Sequence, residues 1–427
     1  MPMREHGAQT VVLGAGLVGA ACALRLAQAG RDVLLLDAQA PGRAASFGNA
    51  GHVATEQVFP LASPQVIRAS WRYLLAADSP LRIRAAYLLP ILPWLARFVW
   101  AARPAGFARG VQALMGLQTT SLADLRDLLT LADAADLLHA DGYLRVWETP
   151  GGARDAQEQA ARVRPHGVHS SLWDADAVRR AAPGIAAGVA GGVFYPDTGH
   201  VDDPQAVCDA LVAALLRAGG RVRQARAVAL QQDRDGTVRV RQEQGADLRC
   251  RELVLCTGAW SRPLARSLGY RIPLDTERGY HITMPWPVGE GAAAARGWLS
   301  LPVASAERSV ILTPMSVGLR MTGTVEFGGL HLPPDGHRLA LLRHAMRALV
   351  PASQPDTAST WMGFRPSLPD HLPVLCAAPR HPGVFFAFGH QHLGLTLCGV
   401  TARLVADLVC GHAPSLDMAP FHVSRFS

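Results

Sequence analysis

Three glycines and one acid carry the first chemical signal of this chain. Gly14, Gly16 and Gly19 stand in the spacing G-x-G-x-x-G, and Asp37 follows about twenty residues on. The first glycine allows a tight turn, the second lets the backbone approach a pyrophosphate, and the third lets a helix pack closely on a strand. A helix starting there offers free N–H groups to phosphate oxygens, and a carboxylate at Asp37 suits a ribose hydroxyl pair. Leu17 and Val18 at the helix start, and Ala38 beside the acid, are read as further contacts to the same ligand. Elements of the right kind surround these residues. Val11 to Leu13 reads as a buried strand, Ala20 to Ala29 as an Ala/Leu-rich helix, and Val33 to Leu36 as the strand that delivers Asp37. Together they form a dinucleotide-binding βαβ unit.

Later segments are suited to the same ligand. From Arg221 onward the chain alternates apolar and polar residues around an Asp235-Gly236 hairpin turn. This is similar to the three-stranded meander of flavoproteins, and Val228 within it is read as a cofactor contact. Leu253 to Cys256 is a strand ending in Thr257-Gly258-Ala259-Trp260, which resembles the turn that brings flavoprotein chains back beside the dinucleotide. That shifts the expected cofactor from NAD to FAD. Gly383 to Gly411 reads as a buried strand, a loop Gly389-His390-Gln391-His392, and a helix from about Leu393 to Cys410, with Gly394, Leu395 and Thr396 at its start. A helix N-terminus beside a flavin has a physical purpose, because reduction leaves negative charge on the pyrimidine half of the ring.

Composition narrows the chemistry. A chain of 427 residues, 49% hydrophobic and 18% charged, buries a sizeable core and is not disordered. Its formal charge is +7 and it contains no lysine, so all 41 basic residues are arginines. A pyridoxal Schiff base, a Walker-type phosphate lysine and a lysine nucleophile are thereby excluded. The arginines are scattered, without an aromatic-plus-basic signature, so the expectation is no nucleic acid; anionic small molecules and anionic lipid are favoured. The seven cysteines form no C-x-x-C pair and read as buried small residues in a reducing compartment, with no metal site. The opening MPMREHGAQ is too short and polar for a signal peptide. The expectation is a cytoplasmic protein, or one attached to the cytoplasmic face of the inner membrane.

One segment bears on that attachment. Trp71 to Pro104 mixes aliphatic runs, Trp and Tyr residues and spaced arginines. Pro90 and Pro93 interrupt it, and Arg84 and Arg97 bound it well short of the roughly 20 residues of a spanning helix. Two readings stay open: interfacial helices with arginines at headgroup level, or helices packed on the protein's own core. Elsewhere, Gly116 to Leu138 reads as a long amphipathic helix, Asp141 to Thr149 as a strand after a D-G turn, and Trp173 to Pro183 as a helix. Asp203 and Pro204 open a further helix, Gln205 to Ala218.

Five stretches together carry a family resemblance: the amino-terminal βαβ, SFGNAGHV (Ser46 to Val53), CTGAWS (Cys256 to Ser261), GFRPSLPDHLPVL (Gly363 to Leu375) and the Gly389 loop with its helix. In order and spacing they resemble the bacterial FAD-dependent D-amino acid dehydrogenases, part of the wider D-amino acid oxidase, glycine oxidase and sarcosine oxidase group. The match runs over nearly the whole chain. It implies an α/β fold, with a two-dinucleotide-binding-type (Rossmann-like) FAD domain interleaved with an α+β substrate domain having a mixed or antiparallel sheet. The expected boundaries are 1–62, 165–265 and 360–427 for the FAD domain, and 63–164 and 266–359 for the substrate domain. Ser46, Asn49, Ala50, Gly51 and His52 are then expected along the flavin.

The resemblance also implies a reaction. A D-amino or D-imino acid is oxidised to the imine by hydride transfer to FAD, and the electrons pass to a quinone or another respiratory acceptor rather than oxygen. The substrate carboxylate needs a bidentate fork so that its α-hydrogen faces the flavin. Arg365 matches the family's carboxylate-binding arginine; an arginine tying a loop to a helix end is the alternative. Tyr280 and Arg278, in ERGYHITM, are candidates for a second contact or for a purely structural role. His52, His390 and His392 are site candidates or packing residues. ERGYH resembles the branch acting on cyclic secondary amines such as cis-4-hydroxy-D-proline, which ranks D-proline-like substrates slightly above D-alanine. The rival functions are an oxygen-using oxidase of glycine, sarcosine or D-amino acids, and a non-catalytic subunit or escort protein on the same fold.

Overall fold

The computed structural model describes residues 9–68, 79–286 and 297–426. Residues 1–8 of the opening segment and the Trp71–Asp78 part of the Trp71 to Pro104 reading lie outside the described residues.

The βαβ unit forms as its residues dictate. Strand Thr10–Leu13 pairs at both edges with parallel strands Val33–Asp37 and Glu252–Leu255 and is covered on both faces, Val12 by the helices and Val11 and Leu13 by the meander, which is why Val11 to Leu13 is an unbroken apolar run. Helix Leu17–Gln28 starts at Gly16, and its alanines let helices Cys398–Cys410 and Pro204–Arg217 approach closely. The sheet has six strands in the order Arg221–Gln224, Val33–Asp37, Thr10–Leu13, Glu252–Leu255, Val384–Phe388, Val374–Ala377. Only the last pairing is antiparallel. On its second face lies the meander Ala227–Gln232, Val238–Gln242, Leu248–Cys250, whose Leu230, Val240 and Leu248 pack on Val11, Leu13 and Leu253. Gly236 takes the left-handed conformation its turn requires, φ 84°.

A second, nine-stranded mixed sheet runs in the order Ser359–Ser367, Asp275–Met284, Gly318–Phe327, Val310–Met315, Val303–Ser305, Tyr143–Trp147, Gly191–Tyr195, Ser171–Asp174, with Leu81–Ile83 paired to Gly318–Phe327. One face buries Leu144, Val303, Leu312, Met321 and Ile282 in a core that helix Gly336–Leu349 closes over strands Asp275–Met284 and Gly318–Phe327. The opposite face carries His281 and Arg320, which grip the segment after the glycine turn: His281 Nδ1 donates to the Gly48 carbonyl at 3.2 Å, and Arg320 donates to the carbonyls of Phe47 and Asn49 at 3.0 and 2.9 Å.

Several boundaries differ from expectation for identifiable reasons. The helix expected at Gly116 to Leu138 runs from Pro104 to Leu131, because its glycines are packing positions and not breaks. A Cβ on Gly110 would sit 2.8 Å from the Pro60 ring. The Trp173 to Pro183 helix is a strand, Ser171–Asp174, followed by helix Ala175–Ala181, which the Asp174 carboxylate caps. The carboxyl-terminal helix begins at Cys398, five residues after Leu393, preceded by turns. Strands Ser171–Asp174, Gly191–Tyr195 and Ser359–Ser367 belong to the nine-stranded sheet, which moves the boundaries expected at 165 and 360. Helix Pro104–Leu131, expected with the substrate domain, buries Leu114, Leu117 and Leu125 in the core shared with helices Leu17–Gln28 and Cys398–Cys410.

Helix Leu88–Ala101 buries Ile91 and Trp94 against Phe327 and leaves its other face in solvent. No single helix among the described residues is long and apolar enough to cross a membrane. The pair Ala85–Ala101 and Pro104–Leu131 has the length and composition together, but is bent by 86°.

Candidate active site

A cavity of about 480 Å³ opens between the glycine turn, the Thr257–Trp260 turn and the Gly389 loop. Of the residues expected around a cofactor, Gly16, Leu17, Val18, Asp37, Ala38, Ser46, Asn49, Val228, Thr257, Gly258, Ala259, Trp260, Gly389, His390, Gly394 and Leu395 line it. Gly14, Gly19, Ala50, Gly51, His52, His392, Leu393 and Thr396 do not. Two of these shape the cradle from behind. Gly14 has φ 101° with the Cys256 carbonyl 2.4 Å from where a Cβ would be, and a Cβ on Gly19 would lie 1.7 Å from the Gly14 carbonyl oxygen. Thr396 braces the loop, its hydroxyl accepting from the Ala54 N–H at 2.9 Å.

The cradle fits a dinucleotide. The first residues of helix Leu17–Gln28 line the cavity, and Gly16 offers no side-chain cap; among the described residues only Ser46 Oγ, 3.0 Å from the Leu17 N–H, meets the first turn from a side chain. Asp37 is held in place by two of the chain's own donors, the N–H groups of Ala15 at 2.7 Å and Gln39 at 2.9 Å, with its edge on the cavity. Gln391, which also lines the cavity, sits at φ 54° without being glycine, and no sequence signal marks it.

Arg365 lies on strand Ser359–Ser367, opposite Glu277. Its guanidinium lies across Gly279, where a Cβ would come within 2.4 Å of Nη2. Nη1 donates to the Thr324 carbonyl at 3.3 Å, and no carboxylate pairs with the side chain among the described residues. Burial pulls its pKa below the ordinary arginine value, with Glu277 opposing. Deep in the protein it nevertheless keeps some accessible surface. Its neighbour Pro366 lines the cofactor cavity. His392 is within electrostatic reach of Arg365, and burial with that cation pushes its pKa down to about 4.

Tyr280 and Arg278 are not brought to this face. Tyr280 shares the opposite side of the strand with Ile282 and Met284, in the core under helix Gly336–Leu349. Its hydroxyl donates to Glu326 at 3.2 Å and accepts from the Asp335 N–H at 2.9 Å. Arg278, fully buried, pairs with the same Glu326 oxygen at 2.7 Å. Both are therefore struts of a buried ion-pair network. His52 is likewise committed: Nδ1 faces the Gly199 carbonyl at 3.1 Å, Nε2 faces Glu56 at 3.2 Å, and its ring lies 4.5 Å from that of Tyr143. Glu56, buried with one oxygen unpartnered among the described residues, is marked by no motif.

Four histidines around the site are neutral by burial. His281 is pushed to about 3, with Arg320 adding to the effect, and His371, His390 and His392 to about 4. Unfolded, each takes a proton near pH 6.5. Between about pH 4 and 6.5 the unfolded chain therefore binds more protons, and stability rises with pH. The contribution is complete above about pH 6.5 and lost on acidification. Tm is expected to be lower at pH 5 than at pH 7, with net proton uptake on unfolding in calorimetry. An equal or higher Tm at pH 5 would contradict neutral burial.

Comparison with known proteins agrees with this geometry. The family model described as DAO, FAD dependent oxidoreductase, matches residues 9–408. The chain belongs to this family. It is an FAD-dependent oxidoreductase, and FAD is its cofactor. It is 31% identical over 99% of both chains to a D-amino-acid oxidase of Bradyrhizobium diazoefficiens. To a D-amino acid dehydrogenase of Rhizobium rhizogenes it is 27% identical, over 98% of this chain and all of that one. Among solved structures, glycine oxidase from Geobacillus kaustophilus shares the fold with a TM-score of 0.76 at 22% identity, covering 98% of this chain and 99% of that one.

Proposed function

We propose that this enzyme oxidises the bond between the α-carbon and nitrogen of a D-amino or D-imino acid. D-proline-like substrates such as cis-4-hydroxy-D-proline rank slightly ahead of D-alanine, and the electrons go to a quinone or another respiratory acceptor at the cytoplasmic face of a membrane. Arg365 carries the reading: a deeply placed guanidinium, without a carboxylate partner among the described residues, beside a residue that lines the cofactor cavity. A donor fork in such surroundings takes a carboxylate in bidentate geometry and fixes which face of the α-carbon is turned to the cavity. FAD, when bound, supplies the two-electron acceptor. Neutral His392 adds no positive charge near the substrate amine, which must lose its own proton before the α-hydrogen leaves as hydride. The names of the sequence relatives support a D-configured amino acid.

The oxidase name of one relative favours a second reading, reoxidation by oxygen. One experiment separates them. The yellow protein is mixed without oxygen with D- and L-amino and imino acids, and the flavin band is followed. Bleaching by D-forms alone is expected, with turnover sustained by a dye or quinone. No bleaching by any D-form overturns the substrate class, and peroxide formed at the rate of turnover in air assigns the oxidase.

A further inference from the structure

Helix Leu88–Ala101 has two apolar faces, and the described residues cover only one. Inward, the Trp94 indole donates to the Ser367 carbonyl at 3.2 Å, and Trp94 and Phe98 meet the His371 ring edge-on. Outward, Leu88, Leu89, Leu92, Val99 and Trp100 are exposed, Leu89 to 77% and Trp100 to 59%. These five are the majority of the nine large apolar side chains exposed among the described residues. Single exposed apolar residues are ordinary, whereas a cluster on one helix marks a contact surface.

The surrounding charges say what it contacts. From Ser79 to Ala123 the chain has five arginines and no acidic residue. Arg84 turns inward toward Glu326 and Asp335, at 3.6 and 3.8 Å. Arg97, Arg103 and Arg109 are exposed and have no acidic partner among the described residues. Exposed leucines, an indole at one end and uncompensated guanidinium groups match a helix lying in the headgroup layer of an anionic bilayer. The 86° bend then carries the chain into helix Pro104–Leu131, whose buried leucines keep it in the protein core. Such a bend, with the second helix buried in the core, fits a segment laid on a membrane and not one that crosses it.

We propose that this helix seats the enzyme on an anionic lipid surface, with its outer apolar face at the boundary of headgroups and acyl chains and Arg97, Arg103 and Arg109 against lipid phosphates. The inference deepens the quinone reading above and rests on it for its purpose. Trp94 bonds to Ser367, two residues from Arg365, so the lipid-facing helix roofs the substrate strand. A lipid-dissolved acceptor would then reach the molecule on the side where substrate is held.

Co-sedimentation of the FAD-loaded protein with phosphatidylcholine vesicles, with and without phosphatidylglycerol, tests this. Binding is expected to be at least about tenfold tighter to the anionic vesicles and to weaken with salt. The double variant Leu89→Gln, Trp100→Gln should bind them at least about tenfold more weakly, with dye-coupled turnover and oligomeric state as in the parent. No binding by the parent, or equal binding by the variant, overturns the proposal. So does a dimeric parent with a monomeric variant, which would mean that a second copy covers the face. Turnover without vesicle binding sinks the docking surface alone; vesicle binding without turnover of any D-amino acid supports the surface and sinks the substrate reading.

Discussion

Arg365→Ala is expected to lower kcat/KM for a D-amino acid by about two to three orders of magnitude, which corresponds to about 3–4 kcal/mol for removing one partner of a desolvated charge pair. Most of the loss should fall on KM, because the guanidinium holds a carboxylate that is charged before and after the reaction. A carboxylic acid lacking the amine should lose its power to inhibit in parallel. Arg365→Lys should recover only part, since a point charge does not replace a planar fork. Bound flavin should remain. The substrate-free protein should be no less stable than the parent, because a buried cation held among the described residues by one 3.3 Å hydrogen bond to Thr324 is removed. A variant with unchanged KM and a lowered Tm would make Arg365 a strut and remove it from the site.

Gly19→Ala is expected to yield colourless protein. Its added methyl meets the Gly14 backbone oxygen at 1.7 Å, and Gly14 cannot retreat because Cys256 backbone lies behind it. Strand and helix must separate, at a cost of about 3 kcal/mol, the upper end for overpacking. Gly16→Ala offers the contrast. There the new methyl meets only Ser46 Oγ at 2.9 Å, a side chain that can rotate away. That variant should fold with stability within about 1 kcal/mol of the parent, yet bind FAD at least about tenfold more weakly, since the methyl projects into the cradle and Ser46 leaves the Leu17 N–H. Flavin absorbance per mole after desalting, together with the Tm of each apoprotein, checks both. A yellow Gly19→Ala protein would rule out the close helix–strand contact.

The parts of the fold that were legible in the sequence are those fixed by local rules. A strand buried on both faces reads as a continuous apolar run, and Val11 to Leu13 and Val384–Phe388 are such runs. Asp203 before Pro204 marks a helix start through the Asp203 carboxylate and the Gln205 N–H. What stayed hidden depends on distant partners. In ERGYH a shift of one residue changes the face of the sheet, so Arg278 and Tyr280 look as eligible as their neighbours until the packing of helix Gly336–Leu349 is known. The glycines of Pro104–Leu131 look like breaks until Pro60 is seen against Gly110. Arg320 belongs to no motif because its partners, the carbonyls of Phe47 and Asn49, lie on another segment.

The strand order of the six-stranded sheet has a consequence for biosynthesis. Glu252–Leu255 lies between Thr10–Leu13 and Val384–Phe388, and the last wall of the cradle comes from Gly389 to Leu395, more than 350 residues after the glycine turn. A nascent polypeptide stalled on the ribosome before Val384 has its glycine turn but no enclosure around it. Flavin capture thus requires the chain through at least Leu395, and polypeptides truncated before Val384 are expected to stay colourless.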